Sequence, residues 1–144
     1  MKTVADILKT KGSAQTYTIS PEATVLEAIT LMAEKGIGAL VVTQGEEVVG
    51  IISERDYARK VVLMERSSYS TDVSAIMSAN VITVSPRESN EFCMTMMTEK
   101  RLRHLPVIDD GRLIGLISIG DLVKDIISDQ QSLIHQLESY IRGE

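Results

Sequence analysis

Two short stretches of this chain carry residues of the kinds that hold an anionic, hydroxylated ligand. Ser53-Glu-Arg-Asp56 and Ser118-Ile-Gly-Asp121 each set a serine before a helical segment and a carboxylate three residues on. A serine at that position accepts from the helix backbone, and the acid completes a capping box favoured by the helix dipole. Seen once, that structural role would be sufficient. The motif recurs intact, however, although much of the sequence between the copies has diverged. Each serine also follows a glycine three residues earlier, Gly50 or Gly115, inside a predicted strand. Glycine weakens a strand unless something approaches the backbone closely. A helix N-terminus further presents unpaired N–H groups suited to phosphate, and a carboxylate beside it can accept from both hydroxyls of a ribose. Phosphate on the helix end and diol on the acid describe a nucleotide.

The elements that position these motifs are duplicated. Gly50 to Gly115 is a step of 65, as are Ser53 to Ser118 and Asp56 to Asp121. The same offset carries Ser20-Pro21 onto Ser85-Pro86, Met32 onto Met97 and Val42 onto Val107. Upstream the match resumes at a step of 69, where Val4, Ile7 and Leu8 fall on Val73, Ile76 and Met77. Four extra residues therefore sit near Lys9 to Tyr17 in the first copy, and Lys9 to Gln15 is expected as a polar loop. Within each copy the pattern reads β-α-β-β-α behind a leading helical segment. In the first copy, Tyr17 to Ile19 is a brief strand, and Thr24 with Glu27 caps a helix that Gly36 ends. Leu40 to Val42 and Val48 to Ile52 form a hairpin, and Ser53 opens a helix running through Tyr57, Val61, Val62 and Met64. In the second copy Val81 to Val84 is a strand, and a helix from Ser89 to about Arg101 buries some of Phe92, Met96 and Met97. Leu105 to Ile108 and Leu113 to Ile117 flank the turn at Asp109-Asp110-Gly111. Pro106 cannot donate to a ladder, so its strand is expected to lie at an edge or to begin there.

The expected fold class is α/β, two such repeats related by a pseudo-twofold axis with a helical tail. The expected boundaries are 1–65 for the first repeat with its leading helix, 66–72 for a Ser-rich linker, 73–127 for the second repeat and 128–144 for the tail. At 144 residues the chain can bury about 70% of its unfolded surface, whereas one repeat alone would make a poor core. In the tail, Val123, Ile127, Gln130, Ile134, Leu137 and Ile141 step by 4, 3, 4, 3 and 4. That is a heptad seam, either laid along its own domain or pairing with a second subunit.

Composition excludes several classes of function. A net charge of −5 argues against a sequence-independent grip on nucleic acid, which needs a basic footprint. No apolar run approaches the ~20 residues of a membrane span, and the opening residues do not read as a signal peptide, so a cytoplasmic location is expected. The single Cys93 and two histidines do not make a structural zinc site, and Cys93 is expected to be buried and inert. No P-loop or nucleophile elbow is present. Gly36-Ile-Gly38 lies between helix and strand, the reverse of the dinucleotide-binding order.

The duplicated pattern, the Thr-Val/Ile-Ser-Pro opening and the G-h-h-S-x-x-D close resemble a pair of CBS (cystathionine β-synthase) domains, the assembly called a Bateman module. The resemblance spans Val4 to about Val123. It implies a non-catalytic sensor of adenosine-containing ligands (AMP, ADP, ATP or NAD, with S-adenosylmethionine a lesser candidate), with two clefts between the repeats. Carried over residue by residue, it implies a first site at Thr16, Tyr17, Thr18, Gly38, Ala39, Leu40, Ser53 and Asp56. A second site falls at Val81, Ile82, Thr83, Arg103, His104, Leu105, Pro106, Ser118 and Asp121. Arg103 and His104 stand where the first copy has Gly38 and Ala39, so the second site is expected to favour ligands with more phosphate. Arg55 is a candidate phosphate contact for the first, on a helix turn that would more simply face solvent. The resemblance also implies a homodimer, toward which the apolar Ile29, Met32, Met94 and Met97 point, and a protein target. The alternative is an assembly scaffold that recruits a partner through its outer helices and tail without sensing a ligand.

Overall fold

In the computed structural model residues 2–11 and 16–143 are described. Gly12 to Gln15, part of the anticipated polar loop, lie outside the described residues. Helix α1 (Val4–Lys11) opens the chain, and its last turn takes up Lys9 to Lys11, where the loop was expected. The first repeat continues as β1 (Thr18–Ile19), α2 (Val25–Lys35), β2 (Ala39–Gln44), β3 (Glu47–Ser53), α3 (Glu54–Tyr57) and a π-helical turn over Ala58–Val62. The second comprises α4 (Val73–Ile76), α5 (Asn90–Lys100), β4 (His104–Asp109), β5 (Arg112–Ser118) and the long α6 (Ile119–Arg142).

Local chemistry accounts for most of these boundaries. Thr24 and Glu27 close a full capping box on α2, and Gly36 ends that helix at φ 65°. Ser89 caps α5 at its start, and Arg101 follows its last residue as the left-handed C-cap at φ 55°. In the first sheet β1 runs parallel to β2 and β2 antiparallel to β3; in the second only β4 and β5 pair. The register slips between Val42 and Thr43 in one hairpin and between Val107 and Ile108 in the other, which is the same place at the 65-residue offset.

The strand expected at Val81 to Val84 shrinks to a single parallel bridge between Val84 and Val107. Val84 donates to the Pro106 carbonyl at 3.0 Å and accepts from Ile108 N at 2.9 Å. The next rung would take a proton from position 106, and proline has none to give. Pro106 therefore sits third in β4 with its imino side on the outer edge. The helix expected through Met64 also ends early. Within the π-helical turn Val61 is buried, whereas Val62 and, beyond the turn, Leu63 and Met64 are exposed.

Two hydrophobic cores result, and each borrows its leading segment from the other half. Val4 and Ile7 of α1 pack with Val84, Cys93, Met97, Leu105, Val107, Ile117 and Leu122. Val73 and Ile76 of α4 pack with Val25, Ala28, Met32, Leu40, Val42, Ile52 and Val61. The hydrogen bonds repeat the exchange: Val4 N donates to Glu88 O and Ala5 N to Pro86 O, while Val73 N donates to Ala23 O and Ser74 N to Pro21 O. The two strand glycines make this possible. A Cβ on Gly115 would lie 2.6 Å from Leu8 Cδ2, and one on Gly50 would lie 2.5 Å from Met77 Sδ. The close approach anticipated at these glycines is made by the protein's own leading segments.

Met32, expected on an outer face, is 1% exposed and belongs to a core; Met97, which the sequence placed among the buried residues of its helix as well as among the outward apolar ones, is also 1% exposed and in the core. On α5 Phe92 is exposed and Cys93 takes the buried position. Burial, with Glu88 nearby, pushes the Cys93 thiol up to about 11, which keeps it protonated and unreactive at neutral pH. Leu122 is the buried anchor of α6, and from Ile126 onward nearly every described tail residue is exposed. The tail does not lie along its own domain. No described helix is long and apolar enough to cross a membrane.

Candidate functional site

Both serine–aspartate motifs form complete capping boxes at helix N-termini. Ser53 N donates to Asp56 Oδ2 at 2.9 Å and Asp56 N to Ser53 Oγ at 3.2 Å. Ser118 N donates to Asp121 Oδ2 at 2.8 Å and Asp121 N to Ser118 Oγ at 3.1 Å. Each carboxylate also meets a lysine that is anchored on a backbone carbonyl. Lys11 Nζ lies 3.0 Å from Asp121 Oδ2 and donates to Leu116 O at 2.8 Å. Lys60 Nζ lies 3.6 Å from Asp56 Oδ1 and donates to Ile76 O at 3.0 Å. Burial would raise the Asp121 pKa, but the Ser118 amide and Lys11 together outweigh it and hold the carboxyl below its ordinary value. The hydrogen bonds to Asp121 from the described residues all fall on Oδ2. Capping thus occupies one oxygen and leaves Oδ1 able to accept from a ligand.

The motifs open onto two clefts, and each cleft mixes the repeats. In the first, of about 410 Å³, Ser53, Glu54, Arg55, Asp56 and Arg59 face Ser78, Asn80, Val81 and Ile82, with Arg101, Leu102, Arg103 and His104 along the side. In the second, of about 660 Å³, Ser118 and Asp121 face Thr16, Tyr17 and the run from Lys35 to Ala39, with Leu8, Lys11, His104 and the Ile114 to Leu116 backbone closing it. Both volumes fall in the ~300–1,000 Å³ range of small-molecule sites. The expected grouping is therefore crossed. Asp56 shares a cleft with Val81, Ile82, Arg103 and His104, and Asp121 shares one with Thr16, Tyr17, Gly38 and Ala39. The crossing follows from the exchanged leading segments, which carry each repeat's first-strand residues past the other repeat's helix end.

Not every anticipated residue reaches a cleft. Leu40 and Leu105 are fully buried in the cores and Pro106 is buried within β4. Thr83 is exposed. Thr18 lines a separate hollow with Thr16, Thr43 and Arg112. Arg55 is exposed and stands at the mouth of the first cleft, where Arg103 foremost and then Arg59 lower its pKa by like-charge repulsion, with Asp56 opposing. An anion placed among these guanidinium groups relieves that repulsion. His104 borders both clefts, and so does Gly38. Burial lowers the His104 pKa against the pull of Asp121, so its imidazole is neutral at pH 7.

Several lining residues were missed. Lys60, which touches Asp56 without lining the cleft, was available in principle, being four residues beyond it on a helical path. Arg59 and Arg101 lay beside named candidates without a motif to mark them. Lys11 and Lys35 come from segments that only the fold brings to Asp121 and Tyr17; Lys35 Nζ sits 5.3 Å from the Tyr17 ring centre, a cation–π contact.

The doubled hairpins, the exchanged leading segments and the two capped acids facing opposite clefts agree with the CBS-domain family model, which matches residues 4–63 and 73–128. The chain belongs to the CBS-domain family. It is 39% identical over 98% of its length to the mitochondrial CBS domain-containing protein CBSX3 of Arabidopsis thaliana, covering 72% of that relative. Its fold matches a CBS-domain protein from Burkholderia ambifaria with a TM-score of 0.85 at 58% identity, over 90% of this chain and 96% of that one. It also matches the CBS domain pair of protein MJ0100, solved with 5′-methylthioadenosine and S-adenosyl-L-methionine, with a TM-score of 0.79 at 24% identity, over 90% and 98% of the two chains. As a CBS pair the chain falls among regulatory and signal-transduction modules.

Proposed function

We propose that this CBS pair is a non-catalytic sensor of adenine nucleotides (AMP, ADP, ATP or NAD) that passes their level to a protein target, assembling as a homodimer. The carrying observation is the repeated arrangement of a capped carboxylate opposite first-strand backbone contributed by the other repeat. At Asp121 one oxygen secures the helix end and the other is open to a ribose diol. The adenine would lie between Val81–Ile82 and Leu102–His104 in the first cleft, and between Thr16–Tyr17 and Ile37–Ala39 in the second. Because each cleft spans both repeats, a ligand that bridges them favours the arrangement in which they are closed, and a population shift follows. That a protein of the same fold holds adenosine compounds agrees with this reading.

The two clefts would differ in ligand. Four arginines make the first suited to di- and triphosphates, and the second, with Lys11, Lys35 and Tyr17, suits a smaller anionic load. The arginine-rich walls belong with Asp56, so the phosphate preference expected for the site containing Asp121 moves to the other cleft. The test is a thermal-shift screen of AMP, ADP, ATP, NAD and S-adenosylmethionine. A ligand at 100 times its dissociation constant adds about 2.7 kcal/mol to stability. No shift with any of the five, at concentrations up to millimolar, would leave the scaffold reading in its place.

A further inference from the structure

The tail helix α6 is held by its domain on one side only. Leu122 is buried beneath it. Asp125 Oδ2 accepts from Asn90 Nδ2 at 2.6 Å, and Lys2 Nζ reaches Asp125 at 3.1 Å and Asp129 at 3.0 Å. In the heptad that begins with Ile127 at position a and Gln130 at position d, these three residues occupy c and f. The opposite side is apolar at a, d and g and lies open: Ile127 is 49% exposed, Leu133 55%, Leu137 53% and Ile141 81%. The domain grips the back of the helix and presents its seam outward.

We infer that this seam pairs antiparallel with α6 of a second copy of the chain, about a twofold axis at the level of Ser132. The inference rests on the homodimer proposed above and deepens it by naming the surface. In that register Ile127 packs on Leu137 of the other copy, Val123 on Ile141, and Ile134 on Gln130. The g positions meet across the flank, Leu133 against its own copy and Ile126 against Tyr140, so every exposed apolar residue from Val123 to Ile141 finds an apolar neighbour except Ile134. Charge decides the direction. The e positions hold Lys124, Gln131 and Glu138. An antiparallel pair sets e against e, so Lys124 faces Glu138 twice and Gln131 faces itself. A parallel pair sets e against g, which would leave Lys124 over Ile119, Glu138 over Leu133 and Gln130 against Gln130, with no ion pair. The overlap of 19 residues from Val123 to Ile141 spans about 28 Å at 1.5 Å per residue, and it leaves the two CBS pairs at opposite ends of the rod.

Sedimentation of the full-length protein across the micromolar range tests this. The wild type should run at twice the 15.8 kDa chain mass. Leu137→Glu places two charges in the seam and should weaken association at least about a hundredfold, with the circular-dichroism spectrum of the folded CBS pair unchanged. Lys124→Glu and Glu138→Lys should each weaken the dimer about fivefold, since each converts two attractions into two repulsions. The combined charge swap should restore it. A monomeric wild type would overturn both the inference and the homodimer. A Leu137→Glu protein that stays dimeric would overturn the tail pairing and leave a homodimer through another face. Dimers insensitive to either single charge reversal would overturn the antiparallel register.

Discussion

In one cleft the Ser53–Asp56 box looks out at Arg55, Arg59, Arg101 and Arg103; in the other the Ser118–Asp121 box looks out at Lys11, Lys35 and Tyr17. The two share backbone, caps and even the position of a β-bulge, so duplication preserved the frame and let the walls diverge. The divergence has a conformational cost. Position 36 is a glycine in the left-handed region, and its counterpart, at the same offset, is Arg101 at φ 55°. A non-glycine residue there costs roughly 1 kcal/mol or more, which is consistent with a side chain retained for its charge. On the nucleotide reading proposed above, the frame would set where a ligand's ribose sits, and residues on helix ends and first turns would set which ligand binds.

The largest expected effect concerns the frame. Gly115→Ala drives a methyl into Leu8, and Gly50→Ala drives one into Met77 and toward the Ser78 carbonyl at 3.0 Å. Each should destabilise the protein by about 1–3 kcal/mol in urea unfolding. Adding Leu8→Ala should recover part of the loss for Gly115→Ala and none for Gly50→Ala. Equal recovery in both would break the claim that each leading segment serves the opposite half.

Next come the acids. Asp121→Asn and Asp56→Asn each keep a carbonyl oxygen for the helix cap and replace the ligand-facing oxygen with a donor. Each should weaken nucleotide binding in its own cleft at least about tenfold, with the other cleft unaffected. Calorimetry that finds unchanged affinity with lowered stability would assign both residues to capping alone.

Charge asymmetry is the third test. Arg103→Ala should weaken ATP about fivefold and adenosine hardly at all, and the ATP affinity of the wild type should fall with salt. The Lys11/Asp121 cleft should show no Arg103 effect and a shallower salt dependence, and an Arg103→Ala protein that loses both ligands equally would mean the side chain packs rather than pairs. Smallest is Arg101→Gly, expected to raise stability by about 1 kcal/mol while lowering triphosphate affinity slightly; no gain in the melting midpoint would remove the strain argument.

Much of this was legible in the chain before folding. The 65-residue repeat, the capping boxes, the strand glycines, the buried Cys93 and the heptad seam all rest on neighbours within a few residues or on a fixed offset. Local rules of helix and strand geometry reach that far. What was misplaced depended on longer range. Pro106 shortened its sheet through one absent N–H, and Met32 turned inward because its own core, not a second subunit, covers it.

Residue pattern and spacing established that there are two copies, which elements each contains and which acids cap which helices. They could not determine which copy's first strand faces which acid. In a tandem repeat every contact has two symmetry-related candidates, within one copy or across to the other, and both satisfy the same side-chain pattern. Folding settles the choice by seating α1 on Gly115 and Met77 on Gly50, and so carries Tyr17 to Asp121 and Ile82 to Asp56. The reason is packing: a glycine gap accepts one side chain, and filling it fixes the partner of everything attached.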